Sequence, residues 1–96
     1  MNNRVVQPNV LIIILCYNGV ADTLACIASL QSVNYSAFDI LVLDNASSDG
    51  TPDTVRIHFP AVTVIENGAN LGFAAGNNVG LRYARQHGYD YALLLN

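Results

Sequence analysis

An acidic residue, Asp44, directly follows the apolar run at residues 40–43, which reads Ile-Leu-Val-Leu. An acid at the end of a buried strand faces the sheet edge where α/β proteins bind ligands. Its carboxylate can accept the imide N–H of a pyrimidine base. This charge-assisted bond favours uracil or thymine over cytosine, whose N3 carries no proton. The alternative is a turn-opening aspartate that accepts hydrogen bonds from nearby backbone amides. Both interpretations stay open.

The other predicted strands are also followed by residues that could bind a ligand. Tyr17 can stack on a base or pack under a loop. Asp49 is typical of an Asp-Gly turn. Gly72, Gly76 and Gly80 recur every four residues and so lie on one stripe of a helix. That stripe allows either tight packing on the sheet or the approach of a nucleotide near the helix N-terminus.

Amide and imidazole side chains complete the set of polar candidates. Asn70, Asn77 and Asn78 could contact a ligand, although asparagines at a helix start are usually caps. His58 and His87 are predicted to be helix-end residues. No catalytic triad, metal-ligand spacing or carboxylate pair for acid–base chemistry can be assembled from the sequence motifs.

The two common phosphate-binding motifs are missing. The chain contains neither G-x-G-x-x-G nor G-x-x-x-x-G-K-[ST], and without any Lys the second motif is impossible. A bound nucleotide must therefore be held in another way.

The hydrophobic pattern alternates between strands and helices. Continuous apolar runs predict strands, and apolar steps of three and four residues predict helices. Thr51 and Pro52 are predicted as the N-cap and first helical residue of the second helix. The predicted strands are residues 10–15, 40–43, 62–66 and 91–95, and the helices are residues 20–32, 51–58 and 73–87.

This order predicts an α/β fold with a mainly parallel sheet of about four strands and helices on both faces. The last strand is apolar and would leave an uncovered sheet edge. We therefore expect residues 1–96 to be a single truncated portion of a longer domain.

Composition limits the classes of function. The 96 residues are 52% hydrophobic and 11% charged, which indicates one folded domain and excludes disorder. A net charge of -3 argues against a nucleic-acid partner. The longest apolar run has seven residues, too few to span a membrane. Cys16 and Cys26 are predicted to be reduced, buried thiols in a cytosolic protein, and a disulfide or a metal role is the alternative.

These motifs together resemble the start of the family 2 glycosyltransferases, which are inverting enzymes of the GT-A (Rossmann-like) fold. The resemblance spans about residues 9–96. It rests on the Cys16-Tyr17-Asn18 turn, the Ser29-Leu30 pair and an eight-residue run at residues 44–51, Asp-Asn-Ala-Ser-Ser-Asp-Gly-Thr. Residues 70–80 resemble the rhamnosyltransferase-type branch.

The resemblance implies transfer of a sugar, with inversion, from a nucleoside-diphosphate sugar of the UDP or dTDP type to a saccharide or lipid-linked acceptor. Tyr17 and Asp44 would contact the base. It also implies a divalent metal, Mg²⁺ or Mn²⁺, in the full-length enzyme, with Asn96 as the first position of a D-x-D-like run. The implied nucleotide-binding residues are Tyr17, Asn18, Asp44, Asn45, Asn70, Gly72 and Asn77.

The resemblance further implies that the metal aspartate, acceptor site and catalytic base follow residue 96, so the chain alone is expected to be inactive. The enzyme is expected in the cytoplasm, at the cytoplasmic membrane face. The chain departs from many relatives at Leu15, where they carry Thr or Ser, and at Asn77, where they carry Arg.

A non-catalytic α/β module is the alternative function. A receiver-type regulatory domain would need an acidic pair after the first strand and a late Lys, and the sequence has neither. An interaction module could self-associate through the exposed fourth strand.

Overall fold

The computed structural model describes residues 7–95 and confirms the predicted α/β class. No helix within this range is long and apolar enough to cross a membrane. Every predicted element is present, with boundaries within two residues of those expected. The elements are β1 (Val10–Cys16), α1 (Val20–Gln31), β2 (Phe38–Asp44), α2 (Thr51–His58), β3 (Thr63–Glu66), α3 (Gly72–Gln86) and β4 (Tyr91–Leu95).

The four strands form one sheet in the order β3-β2-β1-β4, and all three pairings are parallel. The chain adds β2 and β3 on one side of β1 and then crosses to its other side to form β4. The strand order therefore reverses between β1 and β4. In open α/β sheets, ligands bind beyond the carboxyl ends of the strands at such a reversal.

Two apolar layers cover the opposite faces of the sheet. Ile14 and Val42 belong to a cluster that includes Ile27 of α1 and Val55 of α2. On the other face, Leu11, Ile13, Leu41 and Leu43 pack with Ala84 of α3. The predicted helices on both faces are thus confirmed. The continuous apolar runs of β1 and β2 are explained, because both strands are buried on two faces.

The start of α2 differs from the prediction. Gly50, with φ of 78°, occupies the N-cap position, and Thr51 and Pro52 are the first and second helical residues. The Thr51 backbone N–H donates to Asp49 Oδ1 at 3.1 Å, and the Thr51 hydroxyl donates to the same oxygen. The predicted N-cap role of Thr51 is wrong, because Gly50 O accepts Thr54 N–H at 3.0 Å and the helix therefore begins one residue earlier. The Thr51 hydroxyl donates to Asp49 and does not cap the helix.

The edge strand β4 is largely uncovered, as predicted. Tyr91 is 63% exposed and Leu93 is 51% exposed, while Leu95 packs against the cluster beneath α1. β4 pairs with β1 alone among the described strands. One edge of the sheet therefore presents apolar side chains and unpaired backbone groups.

Two of the three α3 glycines allow close packing on the sheet. An added Cβ at Gly76 would lie 2.8 Å from Leu15 Cδ1, and one at Gly80 would lie 2.9 Å from atoms of Ile13 and Leu43. Gly72 differs, since it has φ of 79° and open space around it. The packing interpretation is confirmed for Gly76 and Gly80, whereas Gly72 serves the turn that begins α3.

We predict that Gly80→Ala destabilises the protein by about 1–3 kcal/mol, because the methyl group would overpack the buried and stiff Ile13 side chain. Helix propensity alone predicts the opposite sign, a gain of about 1 kcal/mol. Urea unfolding monitored by circular dichroism measures the difference. Asn78→Ala, at an exposed position of the same helix, is the control. A Gly80→Ala protein that unfolds at higher urea than wild type contradicts the packing role.

Candidate functional site

The candidate site lies at the carboxyl edge of the sheet, where the segments after β1, β2 and β3 meet. Asn45 N–H donates to Cys16 O at 2.9 Å, and Asn67 N–H donates to Asp44 O at 2.8 Å. Each segment is thus joined to the end of the neighbouring strand. The structure brings together six of the predicted ligand-binding residues here: Tyr17, Asn18, Asp44, Asn45, Asn70 and Gly72.

Tyr17 stands in a tight turn between β1 and α1. The next two residues, Asn18 and Gly19, have left-handed backbone angles, with φ of 58° and 72°. The Tyr17 side chain is 57% exposed, so it does not pack under a loop. It lines an open cavity of about 450 Å³ together with Cys16, Asn18, Gly19 and residues of the first turns of α1. A cavity of this volume falls in the range of small-ligand sites.

Ser47 connects the Tyr17 turn to the end of β2. Its Oγ accepts a hydrogen bond from Asn18 N–H at 2.7 Å and donates to Asp44 Oδ1. In the opposite direction, Asn18 Oδ1 accepts from Ser48 N–H at 2.8 Å. These bonds fix Asn18 in its left-handed conformation and so set the position of the preceding tyrosine.

Asp44 is buried, with 1% of its surface exposed. Its Oδ2 accepts Ser47 N–H at 2.9 Å, and its Oδ1 accepts the Ser47 hydroxyl and the Cys16 thiol. The turn-opening interpretation of Asp44 is therefore confirmed. Contact with a pyrimidine imide stays a prediction. Oδ2 keeps a lone pair for it, but the ligand could reach this oxygen only after the loop moves.

Cys16 separates the Asp44 carboxylate from the cavity. Its thiol lies 3.4 Å from Asp44 Oδ1 and 3.6 Å from Leu43 O, and it can donate to either. Burial, followed by the neighbouring Asp44 carboxylate, raises the pKa of the Cys16 thiol to about 12. It is therefore protonated at neutral pH and acts as a donor, not as a nucleophile. Both cysteines are free, as predicted, but only Cys16 is buried as predicted, because Cys26 is half-buried.

Asp49 joins the starts of two helices. Its Oδ2 accepts Val20 N–H, the first amide of α1, at 3.0 Å, and its Oδ1 accepts the Thr51 amide at the start of α2. The Thr51 hydroxyl bond is the main reason that the pKa of Asp49 lies below its ordinary value. The turn interpretation of Asp49 is confirmed, and its reach to α1 was not predicted.

Asn45 holds the loop before α3. This residue is 3% exposed, and its amide donates to Gly72 O at 3.2 Å and Asn70 Oδ1 at 3.4 Å. Its Oδ1 accepts from Asn67 Nδ2 at 2.8 Å. Asn70 also accepts Gly72 N–H at 3.2 Å, a local turn of the kind expected at a helix start. The polar atoms of Asn45 are thus used between segments of the chain.

Asn77 makes no hydrogen bond to this cluster. Asn77 is 3% exposed within α3, and neither polar atom of its amide has a hydrogen-bond partner. Asn96 lies outside the described residues.

His58 and His87 end their helices as predicted, and each Nδ1–H donates to the carbonyl four residues earlier at 2.9 Å.

The chemistry that this edge supports is ligand binding. Within residues 7–95, no three His, Cys, Asp or Glu side chains are grouped as metal ligands. The described residues therefore do not form a metal site by themselves, and we assign no step to a metal.

Sequence reasoning missed several residues that build the site. Ser47 lies in the recognised motif at residues 44–51 but received no role. Its position three residues after Asp44 is the signal that could have identified it. Asn67 directly follows β3, and no sequence motif identifies it. Asp22 and Thr23 line the cavity because they occupy the first turn of α1, and no sequence motif marks them.

The sequence model "Glycosyl transferase family 2" matches residues 11–96. An uncharacterized glycosyltransferase of Haemophilus influenzae is 35% identical over 85 residues, which are 88% of this chain and 28% of that protein. An N-acetylglucosaminyl-diphospho-decaprenol L-rhamnosyltransferase of Mycobacterium tuberculosis is 36% identical over 52 residues, 54% of this chain and 17% of that protein.

A solved structure is also similar. The mannosyltransferase PcManGT from Pyrobaculum calidifontis, in complex with GDP-Man and Mn2+, superimposes with a TM-score of 0.75 at 30% identity. The match covers 82% of this chain and 25% of the mannosyltransferase. This chain therefore spans between 17% and 28% of the length of these relatives.

We predict that Asp49→Asn lowers the stability of the protein at neutral pH and that the loss shrinks in acid. The pKa of Asp49 is lowered in the folded state, so its stabilisation is complete above its ordinary value of 3.8 and is lost as pH falls through the folded value. Urea unfolding of wild type and variant at pH 7 and pH 3 measures this difference. Asp53→Asn, at a carboxylate 86% exposed, is the control. A stability difference that is unchanged at pH 3 contradicts the prediction.

Proposed function

The chain belongs to glycosyl transferase family 2, and from that membership we propose that the protein transfers a sugar from a nucleoside-diphosphate sugar to an acceptor hydroxyl, with inversion at the anomeric carbon. One observation of the structure carries the proposal. An exposed aromatic ring, Tyr17, lines a cavity of about 450 Å³ at the carboxyl edge of a parallel sheet. The cavity lies at the end of β1, beside the reversal of strand order, where α/β folds bind nucleotides.

We propose that the nucleoside half of the donor binds in this cavity. Tyr17 would stack on the base, because its ring is exposed and its backbone is fixed through Asn18 and Ser47. The similar mannosyltransferase binds GDP-Man, which supports a nucleotide sugar as the donor. Our choice of a UDP- or dTDP-type donor rests on Asp44, whose carboxylate would accept the imide N–H if the loop opens.

The proposed acceptor is a saccharide or lipid-linked hydroxyl compound. The Mycobacterium tuberculosis relative is named for transfer to a diphospho-decaprenol compound, which supports a lipid-linked acceptor and a place at the cytoplasmic membrane face. The two free cysteines suit a reducing compartment. Polysaccharide biosynthesis is the corresponding biological role.

We propose that this 96-residue chain binds the nucleotide but does not transfer sugar. The described residues lack three grouped metal ligands, and the Mn2+ in the similar mannosyltransferase supports a divalent metal, Mg²⁺ or Mn²⁺, for the whole enzyme. The chain also covers only 25% of that mannosyltransferase. A metal ligand and a catalytic base would then come from other parts of the complete protein.

A second proposal concerns β4, through which two copies of the chain would pair. The exposed residues of β4 are apolar and uncharged, so nothing on the strand repels a copy of itself. The opposite edge strand, β3, is protected by comparison, because it is four residues long and ends in Glu66, which pairs with Arg56 at 3.0 Å. Antiparallel pairing about Leu93 would join two sheets into one.

We predict that Tyr17→Ala weakens UDP binding by roughly tenfold or more, because stacking of a base on an aromatic ring contributes about 1–3 kcal/mol. Isothermal titration calorimetry with wild type and variant measures the change. Tyr91→Ala removes another exposed aromatic ring, at the opposite end of the sheet, and should leave the affinity unchanged. Equal UDP affinity of Tyr17→Ala and wild type would remove the stacking role.

We predict that wild type binds UDP more tightly than CDP and that Asp44→Asn abolishes this preference, because the cytosine N3 cannot donate to a carboxylate. The same titrations with CDP test it. Ser47→Ala separates the two roles of Asp44, since it disturbs the loop and keeps the carboxylate. Asp44 acts only through the loop if each of the two variants, Asp44→Asn and Ser47→Ala, weakens UDP binding and CDP binding by the same factor.

We predict that wild type shows a mass that rises with concentration in light scattering and that Leu93→Lys is monomeric, because a charged lysine on an edge strand opposes pairing. Ile57→Lys, at an exposed apolar position on α2, is the control and should still associate. Wild type with the mass of one chain at every concentration contradicts pairing through β4.

A further inference from the structure

The arginines of this acidic protein differ in their partners. Arg56 contacts two carboxylates, those of Asp53 at 3.3 Å and Glu66 at 3.0 Å. These are the ion pairs found within residues 7–95, so Arg82 and Arg85 pair with no carboxylate there. The whole of α3 carries no acidic residue. Two cations thus lie together without an anion in a chain whose net charge is -3.

The two arginines share one face of α3 with an amide. Asn78, Arg82 and Arg85 follow one another at steps of four and three residues, which places them on the same side of a helix. All three are exposed, and together with Leu81 they line a cavity of about 210 Å³. We call this cavity the α3 cavity.

We propose that the α3 cavity binds a phosphate group. A guanidinium is always charged near neutral pH, and its planar fork matches two phosphate oxygens. Two such forks and the Asn78 amide give a set of donors without an acidic neighbour. Leu81 offers apolar contact for a carbon group attached to the phosphate.

The α3 cavity is separate from the proposed nucleotide site. Gly76 marks the level of the carboxyl edge, because its Cα faces Leu15 and Asn45. At about 1.5 Å of rise per residue, Asn78 lies roughly 3 Å, Arg82 roughly 9 Å and Arg85 roughly 14 Å further along the helix axis. The α3 cavity and the cavity beside Tyr17 share no lining residue. The inference therefore does not depend on the proposed function.

Helix electrostatics explain only part of this arrangement. A cation in the last turn of a helix is stabilised by the helix dipole, and Arg85 stands in that turn. Arg82 lies before it. The dipole also gives no reason for both guanidiniums to line a cavity with Asn78. The phosphate could belong to a lipid headgroup or to a free phosphorylated small molecule, and the recognition chemistry is the same for both.

Pyrophosphate titration at low ionic strength, followed by NMR of the arginine Nε–H groups, tests the site in the wild-type chain. We expect saturable shifts of Arg82 and Arg85 and none of Arg56. Arg82→Gln and Arg85→Gln should each weaken binding about tenfold, since a hydrogen bond to a charged group is lost. Arg56→Gln removes the same charge elsewhere and should leave the affinity unchanged. Absence of saturable shifts, or equal weakening by all three variants, overturns the proposal.

Vesicle sedimentation distinguishes the two sources of the phosphate. Binding to phosphatidylglycerol vesicles, but not to phosphatidylcholine vesicles, that is lost in Arg82→Gln assigns the site to lipid headgroups. Pyrophosphate binding without vesicle binding assigns it to free phosphorylated compounds. Both results support a phosphate site. Vesicle binding that persists in a combined Arg82→Gln and Arg85→Gln variant, without pyrophosphate binding by wild type, refutes it.

Discussion

The site depends on one buried carboxylate. Asp44 is 1% exposed, and a buried carboxylate must be hydrogen-bonded, because leaving it unpaired costs several kcal/mol. Ser47 meets this need with both its backbone N–H and its hydroxyl. Once the hydroxyl points at Asp44, its lone pair accepts Asn18 N–H. The requirement to satisfy one carboxylate thus fixes the turn that presents Tyr17, although Asp44 itself is enclosed.

The topology of the sheet places the Tyr17 turn beside the loops that hold it. β1 is central, and its two neighbours leave their carboxyl ends beside its own. The segment after β2 supplies Ser47 and Asp49, which hold the segment after β1. Asn45 holds the segment before α3 in the same way. Residues 44–51 therefore position both the segment after β1 and the segment before α3. This positioning role explains why so specific a motif occurs in a segment whose polar side chains mostly bind other parts of the chain.

The fold could be predicted from the sequence because a strand buried on both faces and a helix buried on one face have different hydrophobic patterns. β1 and β2 are continuous apolar runs, and the helices have apolar residues at steps of three and four that lie on one face. The conformation of the loops could not be predicted in this way. Asn18 and Ala46 both adopt positive φ without being glycine. Ser47 reaches Asp44 and Asn18 only because of such backbone angles. The Thr51 cap failed for a related reason, since the Thr51 hydroxyl donates to Asp49 and does not accept an amide of the helix.

Asn77 is a buried polar residue that the hydrophobic pattern does not explain. Its buried amide has no partner among the described residues, which costs about 1–3 kcal/mol, so hydrogen bonding within that part of the chain does not explain the residue. The family resemblance implies an Arg at this position in many relatives. A guanidinium enclosed as completely, and equally unpaired, would cost far more than a neutral amide. Asn therefore suits a helix whose neighbouring glycines, Gly76 and Gly80, bring it close to the sheet. Both polar atoms of the Asn77 amide are thus unpaired within the described residues.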